Sequence, residues 1–341
     1  MMFRAGPRNL LTDVAGLKVG NAADERLASG VTAVICDEPA VAAVQVLGGA
    51  PGSRETDLLE PHNSVDTVNA LVLSGGSAYG LDAASGVQAM LREKGVGFRF
   101  GDNVVPIVPA AIIFDLYPGL DKSWDRYPPY RELGYVAASS ASVDFEIGTQ
   151  GAGAGALAAG LKGGLGSAST VLENGVTIAA LVAANPTGGV TVGDTGHFWA
   201  APFELYNEFG GLGLPHPMPA DCFVPRTKRR EFARAGANTT IAIIATDAKL
   251  TKAAAKRLAI AAHDGFSRAI WPTHSPVDGD LIFSLATGRN PASIDIEASI
   301  DFYAAAAFTM ARAIARAVYL ATPAPNDLFP TWQQKFGNTR S

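Results

Sequence analysis

Three small polar residues, Asn238, Thr239 and Thr240, stand directly before an apolar run that begins at Ile241. A threonine at a chain N-terminus can act as a nucleophile, because its own α-amino group titrates at about pH 7.7–8.0 and can take the proton of the hydroxyl. A peptide bond that breaks between Asn238 and Thr239 would create such a threonine. The alternative is structural, since polar residues can simply begin a buried strand. The tripeptide alone favours this structural alternative.

The segments on either side of the tripeptide decide how it is presented. Residues 225–231 are polar and basic, which predicts an exposed loop, and residues 235–237 are small. Residues 241–246 are apolar and rich in β-branched side chains, which predicts a buried strand that starts at Asn238 and Thr239. The candidate cleavage site therefore lies where a solvated loop enters the core.

The pattern Asn-Thr-Thr-Ile at residues 238–241, with Ala-Thr-Asp at residues 245–247, resembles the self-cleavage site of a peptidase family. The family contains the L-aminopeptidase/D-esterases, the β-aminopeptidases and the nylon-oligomer hydrolases, which are N-terminal-nucleophile hydrolases cut from one chain into α and β subunits. The resemblance extends from about Leu10 to Ala321. It implies an α chain of residues 1–238 and a β chain of residues 239–341, which together form one catalytic domain.

Lys162 lies in a glycine-rich stretch that invites two interpretations. The glycines at residues 151–155 suggest a dinucleotide-binding turn, but residues 160–166 contain four more glycines. A long crossover helix there would lose about 1 kcal/mol per glycine relative to alanine, so we reject that interpretation. The resemblance instead implies that Lys162 is the family's catalytic lysine.

Asn185 follows a predicted strand at residues 176–183 and precedes Pro186, which indicates a turn. An asparagine side-chain amide at a strand end is a suitable donor to an oxyanion. The resemblance implies this role for Asn185.

Asp278 and Asp280 flank a glycine in a turn before the predicted strand at residues 281–287. The loop is too short for a calcium site. The resemblance implies that the two carboxylates orient and charge the amine and hydroxyl of Thr239.

A second glycine turn, at Gly75, Gly76 and Ser77, follows a predicted strand at residues 68–73 and precedes a helix. Such a turn can hold an anion, and the resemblance implies that it lines the substrate site. Phe114 is also assigned to substrate binding, although several relatives have tyrosine at this place; Tyr117 is the neighbouring hydroxyl that could replace it. Residues 118–135 predict an irregular surface loop. This loop either packs on the protein surface or shapes substrate access or an oligomer contact.

The resemblance implies an α/β fold, namely a four-layer αββα sandwich with two central, mainly antiparallel sheets flanked by helices. The residues agree in one respect, because strands are followed by long helices at residues 250–270 and 300–320 without regular βαβ alternation. Early strands are predicted at residues 31–36 and 42–47, and an extended tail from Pro323.

Composition narrows the classes of partner. The net charge of −5 and the lack of a long basic face argue against nucleic acid. Cys36 and Cys222 predict reduced thiols and a cytoplasmic location, with no signal peptide and no apolar stretch of the roughly 18–20 residues that span a membrane. We expect no metal and no cofactor. The expected assembly is a homo-oligomer, a tetramer of αβ units.

The first functional hypothesis is a self-processing hydrolase of amide or ester bonds in small peptides, amino-acid amides or related oligomers. The second is an acyltransferase similar to the ornithine acetyltransferases, whose nucleophile motif differs from Asn-Thr-Thr-Ile. The third is a non-catalytic protein that binds an anion at its glycine turns and never cleaves itself.

Overall fold

The computed structural model describes residues 3–117, 121–232, 238–325 and 327–337. Parts of three predicted segments lie outside these ranges: residues 235–237 before the tripeptide, residues 118–120 of the surface loop, and residues 326 and 338–341 of the tail.

The described chain contains strands β1 to β13 and helices α1 to α6. The strands are β1 (Leu17–Asp24), β2 (Ser29–Val46), β3 (Ser53–Arg54), β4 (Thr67–Ser74), β5 (Phe98–Phe100), β6 (Asn103–Val105), β7 (Ala110–Ile112), β8 (Leu157–Ala158), β9 (Leu161–Lys162), β10 (Gly164–Val171), β11 (Thr177–Ala184), β12 (Ile241–Ala248) and β13 (Leu281–Asn290). The helices are α1 (Ala83–Glu93), α2 (Tyr130–Ser139), α3 (Lys228–Phe232), α4 (Lys252–Ala269), α5 (Ile296–Tyr319) and α6 (Trp332–Phe336).

Nine of these strands form one mixed sheet in the order β10-β11-β12-β13-β2-β4-β7-β3, with β1 also paired to β2. Two pairs, β12–β13 and β4–β7, are parallel, and the other pairs are antiparallel. The predicted α/β class and the mainly antiparallel pairing are confirmed. Hydrogen bonding joins these nine strands into one large sheet, whereas two central sheets were predicted; β5 and β6, and β8 and β9, form two separate two-stranded sheets. The four-layer arrangement stays a prediction.

Strand β2 explains this difference. Its 18 residues cover both strands that the sequence predicted at residues 31–36 and 42–47. Asp37, Glu38 and Pro39 between them are exposed but remain in the strand, and the pairing with β4 shifts register between Ile35 and Ala40. A proline is tolerated at such an irregularity, so the chain bends without ending the strand.

Three hydrophobic clusters pack on this sheet. One joins α1 and α2 to β1, β2, β4 and β7, one joins β1, β2 and β4 to β10 through β13, and one joins β10 through β13 to α4 and α5. Strand β12 contributes Ile241 and Ile243 to the second cluster and Ala242 and Ile244 to the third. It is therefore buried on both faces, which is why its sequence is continuously apolar rather than alternating.

The two long predicted helices are confirmed as α4 and α5. The Thr251 side chain caps α4 by accepting a hydrogen bond from the Ala254 N–H at 3.2 Å, and Asp295 caps α5 through the Ala298 N–H at 2.8 Å. The tail is not wholly extended as predicted, because α6 forms within it and buries Trp332. No helix of the described ranges is both long and apolar enough to cross a membrane.

The pairing of β11, β12 and β13 creates the edge at which the polar segments meet. Ala183 near the end of β11 pairs with Ile241 at the start of β12, and Ile241 pairs with Leu281 at the start of β13. The segments that follow β11 and precede β12 and β13 therefore lie side by side. These segments contain Asn185, Thr239 and the Asp278–Asp280 turn.

Candidate active site

Thr239 lies two residues before β12, so the strand starts later than predicted, at Ile241. Asn238 forms an isolated parallel bridge with Asp278. The Thr239 N–H donates a hydrogen bond of 3.1 Å to the main-chain oxygen of Asn185. Thr239 and its neighbours are buried. The tripeptide is thus held between the segment that follows β11 and the turn that precedes β13, the two strands on either side of β12.

The hydroxyl of Thr239 faces the carbonyl group of the preceding residue. Its Oγ1 donates a hydrogen bond of 2.5 Å to the main-chain oxygen of Asn238. The Gly279 N–H donates to the same oxygen at 2.9 Å. An acyl shift from nitrogen to oxygen requires these features together: a hydroxyl beside the carbonyl, and a donor on the oxygen that becomes negative.

Asp278 connects this site to the turn that follows β11. Its Oδ1 accepts from the Thr187 N–H at 3.0 Å, and its Oδ2 accepts from the Ser275 hydroxyl at 2.5 Å. Burial raises the pKa of Asp278, and the nearby charge of Asp280 raises it further, whereas the hydrogen bonds oppose the shift. The carboxylate is therefore held in place but is easier to protonate than an exposed aspartate.

Asp280 contacts the residue after the proposed nucleophile. Its Oδ1 accepts from the Thr240 N–H at 2.9 Å, and its Oδ2 accepts from the N–H and the ring Nδ1 of His274, both at 3.0 Å. The Thr273 hydroxyl donates to the same Oδ2 at 3.2 Å. Asp280 therefore fixes the backbone that carries Thr239 rather than the Thr239 hydroxyl itself.

The side chain of Asn185 is fully buried at the centre of a polar network. Its Oδ1 accepts from the Tyr117 hydroxyl at 3.0 Å, the Leu157 N–H at 3.0 Å and the Lys228 ammonium at 2.9 Å. Its Nδ2 donates to the main-chain oxygen of Phe114 at 3.0 Å. One amide hydrogen of Asn185 is therefore engaged with Phe114 in the uncleaved chain, while Gly279 contacts the Asn238 carbonyl.

Tyr117 supplies the hydroxyl that Phe114 lacks. Phe114 contributes a main-chain oxygen to the network, and its ring packs edge-on against Tyr117 with centroids 5.8 Å apart. Burial, together with the nearby Asp115 charge, raises the pKa of Tyr117, so the phenol stays protonated and can donate to Asn185.

Lys162 is buried on β9, and its ammonium forms an ion pair of 2.6 Å with Asp327. Both residues line a small cleft. Tyr117 and Leu157, which contact Asn185, form another wall of the same cleft. The structure thus places Lys162 beside the Asn185 network, with its charge balanced by Asp327.

The glycine turn at residues 75–77 hydrogen-bonds within the chain. The Gly76 N–H donates to the buried Asp115 carboxylate at 2.8 Å, the Gly75 N–H to Gly30 at 2.8 Å, and the Ser77 N–H to Ile113 at 3.0 Å. The anion at this turn is therefore a side chain of the protein itself. A role of Gly75, Gly76 and Ser77 in substrate binding stays a prediction.

Lys228 is the site residue that the sequence interpretation missed. Residues 225–231 were predicted to form an exposed loop, but Lys228 begins α3 and is only 3% exposed. It lies among Arg226, Arg229 and Arg230, and nothing in this basic run distinguishes it. Gly279 was missed for a different reason. It contributes a backbone N–H to the site, and a backbone group cannot be recognised from the residue type.

Two further features bear on the chemistry of the chain. Cys36 and Cys222 are both buried free thiols, as expected. Within the described part of the chain, no group of three His, Cys, Asp or Glu side chains could hold a metal ion.

The sequence matches peptidase family S58 over residues 9–327. An uncharacterized aminopeptidase of Mycobacterium tuberculosis is 43% identical over an alignment of 348 positions, which covers 96% of this chain and 98% of the relative. A 6-aminohexanoate-oligomer endohydrolase of a Kocuria species is 29% identical over 289 residues, covering 83% of this chain and 76% of that enzyme.

The fold is also similar to solved structures. The L-aminopeptidase D-Ala-esterase/amidase of Ochrobactrum anthropi, described as a variant of the Ntn hydrolase fold, aligns with a TM-score of 0.71. The alignment covers 97% of this chain and 91% of that chain at 22% sequence identity. At this identity the likeness shows the fold alone.

Proposed function

The chain belongs to peptidase family S58, and we propose that it is a self-processing hydrolase that cuts itself before Thr239 and then uses Thr239 to hydrolyse amide or ester bonds. The observation that supports this most directly is the contact of Thr239 Oγ1 with the main-chain oxygen of Asn238 at 2.5 Å. The hydroxyl is buried against the bond that it would break, and a backbone N–H already contacts the same oxygen.

Self-cleavage begins when Thr239 Oγ1 adds to the carbonyl carbon of Asn238. The Gly279 N–H stabilises the negative oxygen of the tetrahedral intermediate. The bond from this carbon to the Thr239 nitrogen then breaks, the nitrogen receives the hydroxyl proton, and an ester remains on Oγ1. Water hydrolyses this ester, which leaves a carboxylate on Asn238 and a free amine and hydroxyl on Thr239.

The same threonine then acts on substrates. Its amine takes the hydroxyl proton, Oγ1 attacks the substrate carbonyl, and the leaving amine or alcohol receives the proton. Asn185 donates to the oxyanion through its side-chain amide. Asp278 pairs with Asn238, and Asp280 accepts from the Thr240 N–H, so the two carboxylates lie on either side of Thr239. They provide acceptors for the α-ammonium group of the new N-terminus. Lys162 balances charge at the adjacent cleft.

We propose small peptides, amino-acid amides and related oligomers as the substrate class. The cleft beside Asn185 is lined mainly by small and apolar residues and carries one ion pair, Lys162 with Asp327. Such a lining suits an apolar side chain or a short oligomer unit rather than a folded protein. The names of the relatives, an aminopeptidase and an oligomer endohydrolase, support the same class.

The proposal includes the architecture of the mature enzyme. Residues 1–238 form the α chain and residues 239–341 the β chain, and the two stay together because β12 pairs with β11 of the α chain and β13 pairs with β2. The three hydrophobic clusters support a four-layer arrangement, with helices outside both halves of the sheet.

A panel of chromogenic amino-acid amides and esters tests the activity. The wild-type protein is expected to release chromophore from at least one primary-amine-bearing amide or ester, and Thr239→Ala is expected to release none. Equal turnover by both proteins would place the nucleophile elsewhere.

A further inference from the structure

The ammonium group of Lys228 lies within hydrogen-bonding distance of four oxygen atoms in and around Asn185, the proposed oxyanion donor. Its Nζ lies 3.0 Å from the Tyr117 hydroxyl, 2.9 Å from the Leu157 main-chain oxygen, 3.0 Å from the Asn185 main-chain oxygen and 2.9 Å from Asn185 Oδ1. The residue is 3% exposed and lies on the short helix α3, upstream of the proposed cleavage site between Asn238 and Thr239. A lysine buried this deeply is rare and needs partners.

The contacts of Lys228 fix how the Asn185 carboxamide is oriented. Both the Leu157 N–H and the Lys228 ammonium can only donate, so the atom of Asn185 that receives them must be the oxygen. The Nδ2 end of Asn185 then necessarily points the other way, where Phe114 accepts one of its hydrogens. A cation on the oxygen polarises the amide and makes its N–H groups stronger donors.

Lys228 also reaches the backbone that holds the nucleophile. The Asn185 main-chain oxygen accepts from the Lys228 ammonium at 3.0 Å and from the Thr239 N–H at 3.1 Å. In self-cleavage this Thr239 nitrogen is the leaving group. One side chain therefore touches both the proposed oxyanion donor and the acceptor that positions the leaving nitrogen.

The two buried lysines of the site differ in how their charge is balanced. Lys162 forms a direct ion pair with Asp327, so its charge is neutralised by contact. The contacts of Lys228 are with a hydroxyl and carbonyl oxygens, which are neutral. Burial lowers the pKa of Lys228 well below its usual value, and the charges of Asp278 and Asp280 oppose this shift. The four oxygen acceptors around Nζ favour the protonated form, so the charge of Lys228 lies against Asn185 and Tyr117.

We propose that Lys228 is a positioning residue for both self-cleavage and substrate hydrolysis: it orients and polarises Asn185 and supplies the positive charge of the site. This inference rests on the proposed function. It assigns to Lys228 the role of the catalytic lysine, which the family resemblance placed on Lys162. Lys162 is instead paired with Asp327, and both residues line the wall of the cleft.

The test compares Lys228→Met with the matched variant Lys162→Met, since both remove a buried ammonium and keep a long apolar side chain. Self-cleavage is followed on denaturing gels after cell-free synthesis of the full chain, and kcat and KM are measured on the cleaved protein with a chromogenic amino-acid amide. We expect Lys228→Met to slow self-cleavage by about 10²-fold and to lower kcat more than it changes KM. Lys162→Met is expected to slow self-cleavage at least about tenfold less than Lys228→Met, because its ammonium contacts neither Asn185 nor Thr239.

Chemical rescue keeps the test decisive if Lys228→Met folds poorly. In Lys228→Ala, ethylammonium is expected to restore self-cleavage at least about tenfold, whereas it leaves the wild type unchanged. The inference is overturned if Lys228→Met cleaves itself at the wild-type rate, if Lys162→Met is slowed as much, or if the amine restores nothing. A wild-type chain that never cleaves itself would instead contradict the proposed function.

Discussion

The Gly279 N–H donates a hydrogen bond of 2.9 Å to the main-chain oxygen of Asn238. This contact arises because β12 and β13 are parallel neighbours whose first residues, Ile241 and Leu281, pair directly. The turn before β13 is therefore held against the tripeptide before β12. A donor already in place on this oxygen stabilises the charge that develops there without further rearrangement.

Gly279→Ala is expected to block or strongly slow self-cleavage. A Cβ at this position would lie 2.8 Å from Thr239 Oγ1 and 2.6 Å from the Ala50 main-chain oxygen, so the turn or the hydroxyl must move. Gly189→Ala is the control, because its nearest neighbour would be 3.9 Å away, at ordinary contact distance. Gel analysis of both variants after expression is the measurement. Normal cleavage in Gly279→Ala would show that this close approach is unnecessary.

Asn185→Ala is expected to lower kcat by roughly 10²–10³, with a smaller change in KM, because the lost hydrogen bond strengthens only in the transition state. Self-cleavage is expected to slow towards the lower end of this range, by about 10²-fold, since Gly279 already contacts the scissile carbonyl in the uncleaved chain. Steady-state kinetics on the cleaved fraction check the first effect. An unchanged kcat in fully cleaved Asn185→Ala would assign the oxyanion to another donor.

The pH dependence of hydrolysis is expected to show an acid limb above the usual range of an aspartate. Burial raises the pKa of Asp278, so on acidification it takes a proton sooner than the roughly 3.9 of an exposed aspartate and loses the charge beside Thr239. Asp278→Asn is expected to lower kcat and to lack this limb. Asp247→Asn is the control, since Asp247 is also buried with a raised pKa but lies at the far end of β12. An identical limb in Asp278→Asn would assign it to another group.

His263 is expected to make the fold less stable in acid. Burial lowers its pKa from 6.5 to about 4, and its Nε2 contacts the Gln45 main-chain oxygen at 3.0 Å. Between pH 4 and pH 6.5 the unfolded chain binds a proton at His263 more readily than the folded chain does. The stabilisation from neutral His263 is therefore complete above pH 6.5 and is lost as the pH falls towards 4. The loss amounts to about 3 kcal/mol.

Urea unfolding at several pH values measures this effect on the free energy of unfolding. His263→Gln keeps a donor for Gln45 and does not titrate, so its free energy of unfolding should fall less between pH 6.5 and 4 than that of the wild type. Parallel curves for the two proteins would contradict the assignment.

Local patterns were sufficient to predict much of the fold. The helices α4 and α5 followed from apolar spacing, and β4, β11 and β13 from short apolar runs bounded by turns. The sequence could not show that β2 is continuous, because the polar residues Asp37 and Glu38 are typical of a turn. Asp37 and Glu38 can remain within β2 because that part of the strand is exposed to solvent.

The meeting of Asn185, Thr239, Asp278 and Asp280 was anticipated through the family resemblance, and the pairing of β12 with both β11 and β13 accounts for it physically. The position of Lys228 could not be anticipated, since its burial depends on long-range partners rather than on its basic neighbours.

The mass of the purified wild-type protein under denaturing conditions tests the central claim most directly. We expect two chains, about 25 and about 11 kDa when the 35.3 kDa is divided in proportion to residues 1–238 and 239–341, and the smaller chain should begin Thr-Thr-Ile-Ala-Ile. Thr239→Ala should stay whole. Thr240→Val should still cleave, because the Thr240 hydroxyl has no hydrogen-bond partner among the described residues. An intact wild-type chain that hydrolyses substrate, or cleavage that persists in Thr239→Ala, would contradict the account.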